Sequence, residues 1–388
     1  MLRNDRDTEL LRSELFSIEQ LKRHAVTLAG RHRINPRPGP DRLLPRLADN
    51  TRVLLTAYDV VTAAAATPGQ RVVPAEAWLL DNFYLIEQQI DLARLHLPRG
   101  YSRQLPRLAD GPSAGFPRIY DLALELISHM DGRVDSDNAT QFIAAYQTAE
   151  PLKLGELWAF PIMLQLALLE NLRRVGLRIA QRREELDAAI IWADRMLAAV
   201  EREPKQLIQL LAEFANADVP LTAPFVEEFY ARLQAQGPAM AFVQTWVEQK
   251  LFEQGVTATQ LSEAAGRTAA ANQISIANTI GSLRFIAATD WKNYVESLSV
   301  VEQTLAEDPA GMYACQDFAT RDRYRHVIED VARGCSHSSC SESTVARKAV
   351  LLAQSAAERV GANHRTAHVG YYLIDEGRPL LEQSVGCR

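Results

Sequence analysis

Apolar residues recur along this chain at alternating spacings of three and four, and only helices packed side by side can use that period. Leu79, Phe83, Ile86, Ile90, Ala93 and Leu97 step by 4, 3, 4, 3 and 4, which puts all six on one helical face. Pro74 stands just ahead of this helix and Pro98-Arg99-Gly100 ends it. Ile119, Leu122, Leu126 and Met130 repeat the pattern. Ile162, Leu166, Leu169, Leu172, Val175 and Ile179 form a longer stripe, with Glu170 and Arg174 spaced to pair on its flank. Pro161 is expected in the first turn of that helix, where its missing N–H costs nothing. Phe225, Phe229 and Leu233 mark one short amphipathic helix, and Phe242, Val243, Trp246 and Val247 another. Tyr294, Leu298, Val301 and Leu305 follow Thr289 or Asp290 as N-cap, and Tyr324, Val327, Ile328 and Val331 follow Thr320 in the same manner. Only His368–Ile374 has the alternation of a short strand. The expected fold class is all-α, built of multi-helix, bundle-like modules with little or no sheet.

Composition narrows the function classes. At 47% hydrophobic and 23% charged residues the chain has the balance of a folded protein. Its 42 basic against 48 acidic residues argue against a general nucleic-acid binder, which is normally basic. Arg31-His32-Arg33 with Arg37 is the one basic cluster, and it reads as a solvated linker. The charged opening residues give no expectation of a signal peptide, and no window approaches the ~20 apolar residues of a membrane helix. Trp158 to Leu169 is the most apolar stretch and reads as a buried helix. All four cysteines (Cys315, Cys335, Cys340 and Cys387) lie in the last quarter, and an intracellular reading expects them as reduced thiols. Proline and glycine divide the chain into an N-terminal helix and Pro-rich linker (1–70), a helical module (71–200) and a second helical module (205–388).

Motifs that carry chemistry are sparse. G-x-x-x-x-G-K, G-x-G-x-x-G and H-E-x-x-H are absent, so phosphate cradles and zincin sites have no support. Cys335, His337 and Cys340 are the best metal candidates, but a closed zinc site needs about four ligands; the expectation is no metal. Asp131, Asp135 and Asp137 lack the glycine of a calcium loop and read as a helix end at Gly132 followed by an N-cap at Ser136 or Asp137. The segment from Arg99 to Trp158 stands out. Arg99, Tyr101, Arg103, Arg118, Tyr120, Glu156 and Trp158 are the residue types of a sugar- or phosphate-binding surface, of an interface, or of buried contacts joining helices.

The same segments carry a resemblance. Pro74-Ala-Glu-Ala-Trp78, Leu97-Pro-Arg-Gly-Tyr101-Ser-Arg-Gln-Leu-Pro106 and Leu154-Gly-Glu-Leu-Trp158-Ala-Phe-Pro161 resemble the N-terminal region of bacterial cyclic β-1,2-glucan synthases. The likeness resumes at Asp290-Trp291, Glu307-Asp-Pro-Ala-Gly311-Met-Tyr313, Asp317-Phe-Ala-Thr-Arg-Asp-Arg-Tyr-Arg-His326 and His368-Val-Gly-Tyr-Tyr-Leu-Ile-Asp375. The resemblance implies a cytoplasmic region at the inner membrane, ending just before the first membrane helix. A transferase domain using UDP-glucose and a divalent metal then follows it, with a phosphorylase-like domain at the far end. The Q-x-x-R-W motif of processive transferases is absent, so no family catalytic residue carries over. The tail departs from the family pattern at the Cys335–Cys340 loop and near Cys387, as expected of a truncated or degraded reading frame. The expected function is a non-catalytic module that scaffolds or regulates glucan synthesis. Its expected partner is the membrane-embedded transferase domain, in cis or in trans, with glucan as a further contact, no nucleic acid and no membrane span of its own. The rivals are a stand-alone binding protein acting in trans and an independent carbohydrate-active enzyme centred on Arg99, Tyr101 and Glu156.

Overall fold

The computed structural model describes residues 14–35, 37, 39–67, 72–202, 205–217, 219–234, 238–335 and 340–387. Sixteen α-helices, three short 3-10 helices and one two-stranded ribbon make up the regular structure of the described residues, and the fold class is all-α as expected. The helices are α1 (Ile18–Arg31), α2 (Leu43–Ala65), α3 (Pro74–His96), α4 (Arg118–His129), α5 (Ser136–Gln147), α6 (Leu154–Arg202), α7 (Gln206–Asn216) and α8 (Ala223–Leu233). They continue with α9 (Pro238–Glu253), α10 (Ala258–Ala288), α11 (Trp291–Leu298), α12 (Val300–Leu305), α13 (Phe318–Gly334), α14 (Glu342–Val360), α15 (Val369–Ile374) and α16 (Arg378–Ser384). Strands β1 (Ile34–Asn35) and β2 (Arg107–Leu108) pair antiparallel, Ile34 opposite Leu108. No described helix is long and apolar enough to cross a membrane.

Two compact units form, each gathered from separate stretches of chain. The first takes residues 45–94 and 168–280. Its core holds the expected stripes, with Leu79, Phe83, Ile86 and Ile90 of α3 and Leu172, Val175 and Ile179 of α6 all buried. Gly176 faces α2, where a Cβ would make ordinary contact at 3.4 Å from Leu54 and 3.5 Å from Ala57. Polar side chains lie beside this apolar seam. Glu170 accepts from Arg46, from Asn50 Nδ2 at 2.7 Å and from Arg173 at 3.2 Å. Arg174 donates to Asn171, which itself donates to Ser275 and Thr279 of α10. The expected flank charges are therefore buried groups whose hydrogen bonds offset their desolvation. Further along, Phe214, Phe225 and Phe229 stack with Val243 and Val247 around them, whereas Phe242, expected in that stripe, is exposed.

The second unit takes residues 14–44, 95–167 and 281–388. Val301, Leu305, Tyr324, Ile328, Val331, Val345, Ala349 and Leu373 centre its core on α12 to α15. Asp308 ties the segments around that core. Its buried carboxylate accepts the N–H groups of Met312, Tyr313 and Val369 and bonds His368 Nδ1 at 2.9 Å. Burial is the largest single influence and works against its charge, yet the His368 contact and the N–H groups of Val369 and Tyr313 together outweigh it and hold the carboxyl below its ordinary value.

Several local expectations are corrected. His368–Ile374 is not a strand: Val369–Ile374 is the helix α15, in which Val369, Tyr372 and Leu373 enter the core and Ile374 is exposed. Tyr294 to Leu305 is two helices, because Ser299 ends α11 and caps α12 through the Glu302 N–H. Asp317, not Thr320, caps α13. Pro161 lies inside α6. That helix starts earlier because Lys153 N–H reaches Glu156 at 2.9 Å and Leu154 N–H reaches Glu342 at 2.8 Å, which satisfies free donors upstream of the proline. Asp135 caps α5 in a reciprocal box with Asn138, and Asp131 and Gly132 form the left-handed turn before it. His32, expected in a solvated linker, bonds Tyr146 at 3.0 Å and Asp121 at 3.1 Å.

Candidate functional site: a cleft lined by aromatic and cationic side chains

Three segments that are remote in sequence meet in the second unit. The turn at 98–104 is held by Asp41, which accepts from Gly100 N at 3.2 Å and Ser102 Oγ at 2.8 Å. Gly100 sits at φ +85°, a conformation costly for any residue with a Cβ, so the turn can fold Tyr101 back. The start of α6 supplies Lys153, Glu156 and Trp158, and α13 supplies His326, Glu329 and Arg333. Together with Arg99, Tyr101 and Glu342 they line a cleft of about 770 Å³. A second cavity of about 490 Å³ shares Gln104, Lys153, Glu329 and Arg333 with it and adds Arg37, Arg103, Arg107 and Arg118.

The candidate side chains divide by role. Arg99 and Arg103 are exposed at the mouth, and Tyr101 and Trp158 are half-buried. The Trp158 ring meets Phe318 edge-on at 6.1 Å, and burial raises the Tyr101 hydroxyl above its ordinary pKa. Arg118 and Glu156 are 3% and 0% exposed and bond each other through Nε at 2.9 Å and Nη2 at 2.5 Å. Burial opposes the Arg118 charge, but the Glu156 hydrogen bond and charge outweigh it and raise the pKa. This pair joins the N-termini of α4 and α6. Tyr120 is buried, its ring tilted against Phe116 at 5.4 Å. Glu342, in the first turn of α14, is pushed up to about 6, first by burial, with Leu154 N–H pulling the other way.

The C-terminal loop departs from expectation. Cys335 and Cys340 are joined in a disulfide, so the reduced thiols are Cys315 and Cys387. A disulfide sulfur is not a thiolate ligand. His337 lies outside the described residues. Two further groups lie outside the residues singled out from the sequence. Gly111-Pro-Ser-Ala-Gly115 spells G-x-S-x-G, yet Ser113 sits among turns and not on a strand-to-helix elbow, so it carries no nucleophile geometry. His24, Glu125 and His129 converge from α1 and α4, and only the i, i+4 spacing of the last two is visible in sequence.

Fold and cleft define an all-helical protein with an aromatic-lined cleft rimmed by arginine and lysine. No family model matches the chain. It is 32% identical over 378 residues to the cyclic beta-(1,2)-glucan synthase NdvB of Rhizobium meliloti (strain 1021). That likeness covers 97% of this chain and 13% of the synthase, so the chain matches a region of a much longer protein. The resemblance read from the segments around Tyr101, Trp158 and His326 is thereby borne out.

Proposed function

We propose that this chain is a non-catalytic helical module of a cyclic β-1,2-glucan synthase-like glycosyltransferase. It scaffolds or regulates glucan synthesis from UDP-glucose at the cytoplasmic face of the inner membrane. The partner is the membrane-embedded transferase domain, in cis or in trans. The observation that carries this reading is likeness to a glucan synthase over nearly the whole chain. The cleft supports it, since three of the segments that resemble the synthases line a single surface.

The chemistry of that surface suits a polyol. Tyr101 and Trp158 offer apolar ring faces to sugar C–H groups, and Gln104, Lys153 and Arg333 offer hydrogen-bond donors around them. The module holds the growing glucan or the transferase there, and UDP-glucose and its metal belong to the transferase domain. The test is glucan synthesis by membranes carrying a synthase whose corresponding region is replaced by this chain, with and without Tyr101→Ala and Trp158→Ala. The double variant is expected to lower glucan yield or shift ring size while the transferase stays in the membrane. Unchanged yield and ring size would remove the cleft from the account. Unchanged synthesis after deletion of the whole region would remove the module.

A further inference from the structure

Away from the cleft, His24 of α1 meets Glu125 and His129 of α4. Their donor atoms all lie within 4.8 Å of one another. His24 Nε2 is 2.7 Å from Glu125 Oε2, and His129 Nε2 is 3.4 Å from the same oxygen. Glu125 and His129 are four residues apart on one helix, so they share a face. The ring of Phe16 stacks flat on His129, with centroids 3.8 Å apart and planes 8° apart, and meets His24 edge-on at 5.4 Å. An apolar wall therefore fixes both imidazoles.

The decisive contact is on the far side of His129. Its Nδ1 lies 2.7 Å from the backbone carbonyl oxygen of Glu14. A carbonyl only accepts, so Nδ1 carries a hydrogen. In the neutral ring this leaves Nε2 as a bare lone pair, facing a carboxylate oxygen at 3.4 Å. Two acceptors at that distance repel unless positive charge lies between them. The cluster is thus built around a cation. An imidazole N–H anchored on a backbone carbonyl is also how proteins orient a metal-ligating histidine.

We propose that His24, Glu125 and His129 form a binding site for a divalent transition-metal ion, zinc by the chemistry of the donors, with a fourth position open to water. Two imidazoles and a carboxylate are a zinc ligand set, whereas calcium and magnesium require oxygen ligands throughout. Tetrahedral Zn–N bonds of about 2.0–2.1 Å place neighbouring donors roughly 3.3 Å apart. The two pairs through Glu125 stand at 2.7 and 3.4 Å and all three donors lie within 4.8 Å of one another, so an ion entering between them would draw the three side chains to that spacing. The ion ties α1 to α4.

The test uses the full chain, stripped with chelator and titrated with zinc chloride by calorimetry and with cobalt by visible absorption. One equivalent is expected to bind, with the intense cobalt bands of a tetrahedral site. His24→Ala combined with Glu125→Gln is expected to weaken binding at least 10-fold while the circular dichroism spectrum is unchanged. Should that double variant misfold, Glu125→Gln alone keeps the side-chain volume and carries the same expectation. Cys335→Ser with Cys340→Ser is expected to leave binding unaltered. Absence of saturable binding, equal binding by the Glu125 variants, or loss of binding in the cysteine variant would each overturn the proposal.

Discussion

Glu156→Ala is the sharpest probe of how the second unit is held together. Glu156 is 0% exposed and takes hydrogen bonds from Arg118 Nε, Arg118 Nη2 and Lys153 N. Removing the carboxylate leaves the guanidinium, 3% exposed, with the Pro151 carbonyl at 3.3 Å, the half-exposed Glu150 at 3.5 Å and the face of the Tyr146 ring at 5.7 Å, none of which replaces a buried anion. Breaking a buried ion pair from one side costs about 3–5 kcal/mol, because a charge stays buried without its partner. For a unit of this size each kcal/mol lowers Tm by about 2–4 °C, so a fall of roughly 6–20 °C follows. Urea denaturation followed by tryptophan fluorescence, beside calorimetry, measures it. The double variant Arg118→Met/Glu156→Leu removes both charges and should recover most of the loss, since apolar replacement of a buried pair is commonly neutral or better. A loss under about 1 kcal/mol for Glu156→Ala, or a double variant no more stable than the single, would refute the reasoning. It would also return Arg118 and Glu156 to the pool of ligand-binding groups.

Other expectations are simpler to check. Glu342 is raised to about 6 in the folded chain from an ordinary value of 4.5. The native state is therefore best served below about pH 4.5 and loses stability as pH rises through 6, by about 1–2 kcal/mol. Glu342→Gln keeps an acceptor for Leu154 N–H and should exceed the parent in stability at pH 8 but match it at pH 4.5; a gap independent of pH contradicts this. Ser282 Oγ donates to Gly132 O and accepts from Val134 N, both at 2.7 Å, so Ser282→Ala should cost about 1–3 kcal/mol in urea denaturation. A cost near zero would mean that the Asp131–Gly132 turn is held by other contacts. Thiol titration of the denatured, unreduced chain should find two thiols, Cys315 and Cys387, and four after reduction; four before reduction would show Cys335 and Cys340 unjoined.

Which residues face inward was legible where one side of a helix is buried, as with Leu79 to Leu97; α6 is buried all round from Ile162 to Leu177, so its apolar stripe did not reveal that Glu170, Asn171 and Arg174 are buried beside it. Period alone does not mark breaks, so it ran Tyr294 and Leu305 together across Ser299 and began α6 at Pro161. Those boundaries depend on where N–H groups find partners, and one of them, Glu342, lies nearly 200 residues from Leu154. Periodicity also cannot say which stripe meets which, and the compact units interleave along the chain. The seven candidate residues around Tyr101 were picked out by type and order. Their division into the exposed Arg99 and Arg103, the half-buried Tyr101 and Trp158, and the buried Arg118, Tyr120 and Glu156 is a tertiary fact. The His24–Glu125–His129 cluster has no sequence signature because His24 stands 101 residues from Glu125.

The central claim is that these helices assemble no glucosyl-transferring centre of their own. It is tested by incubating the purified chain with labelled UDP-glucose, a divalent metal and a glucan acceptor, beside membranes holding an active full-length synthase. No label should enter β-1,2-glucan with the chain alone, while the membranes incorporate it. Robust incorporation by the isolated chain, abolished when the chain is denatured, would contradict the account.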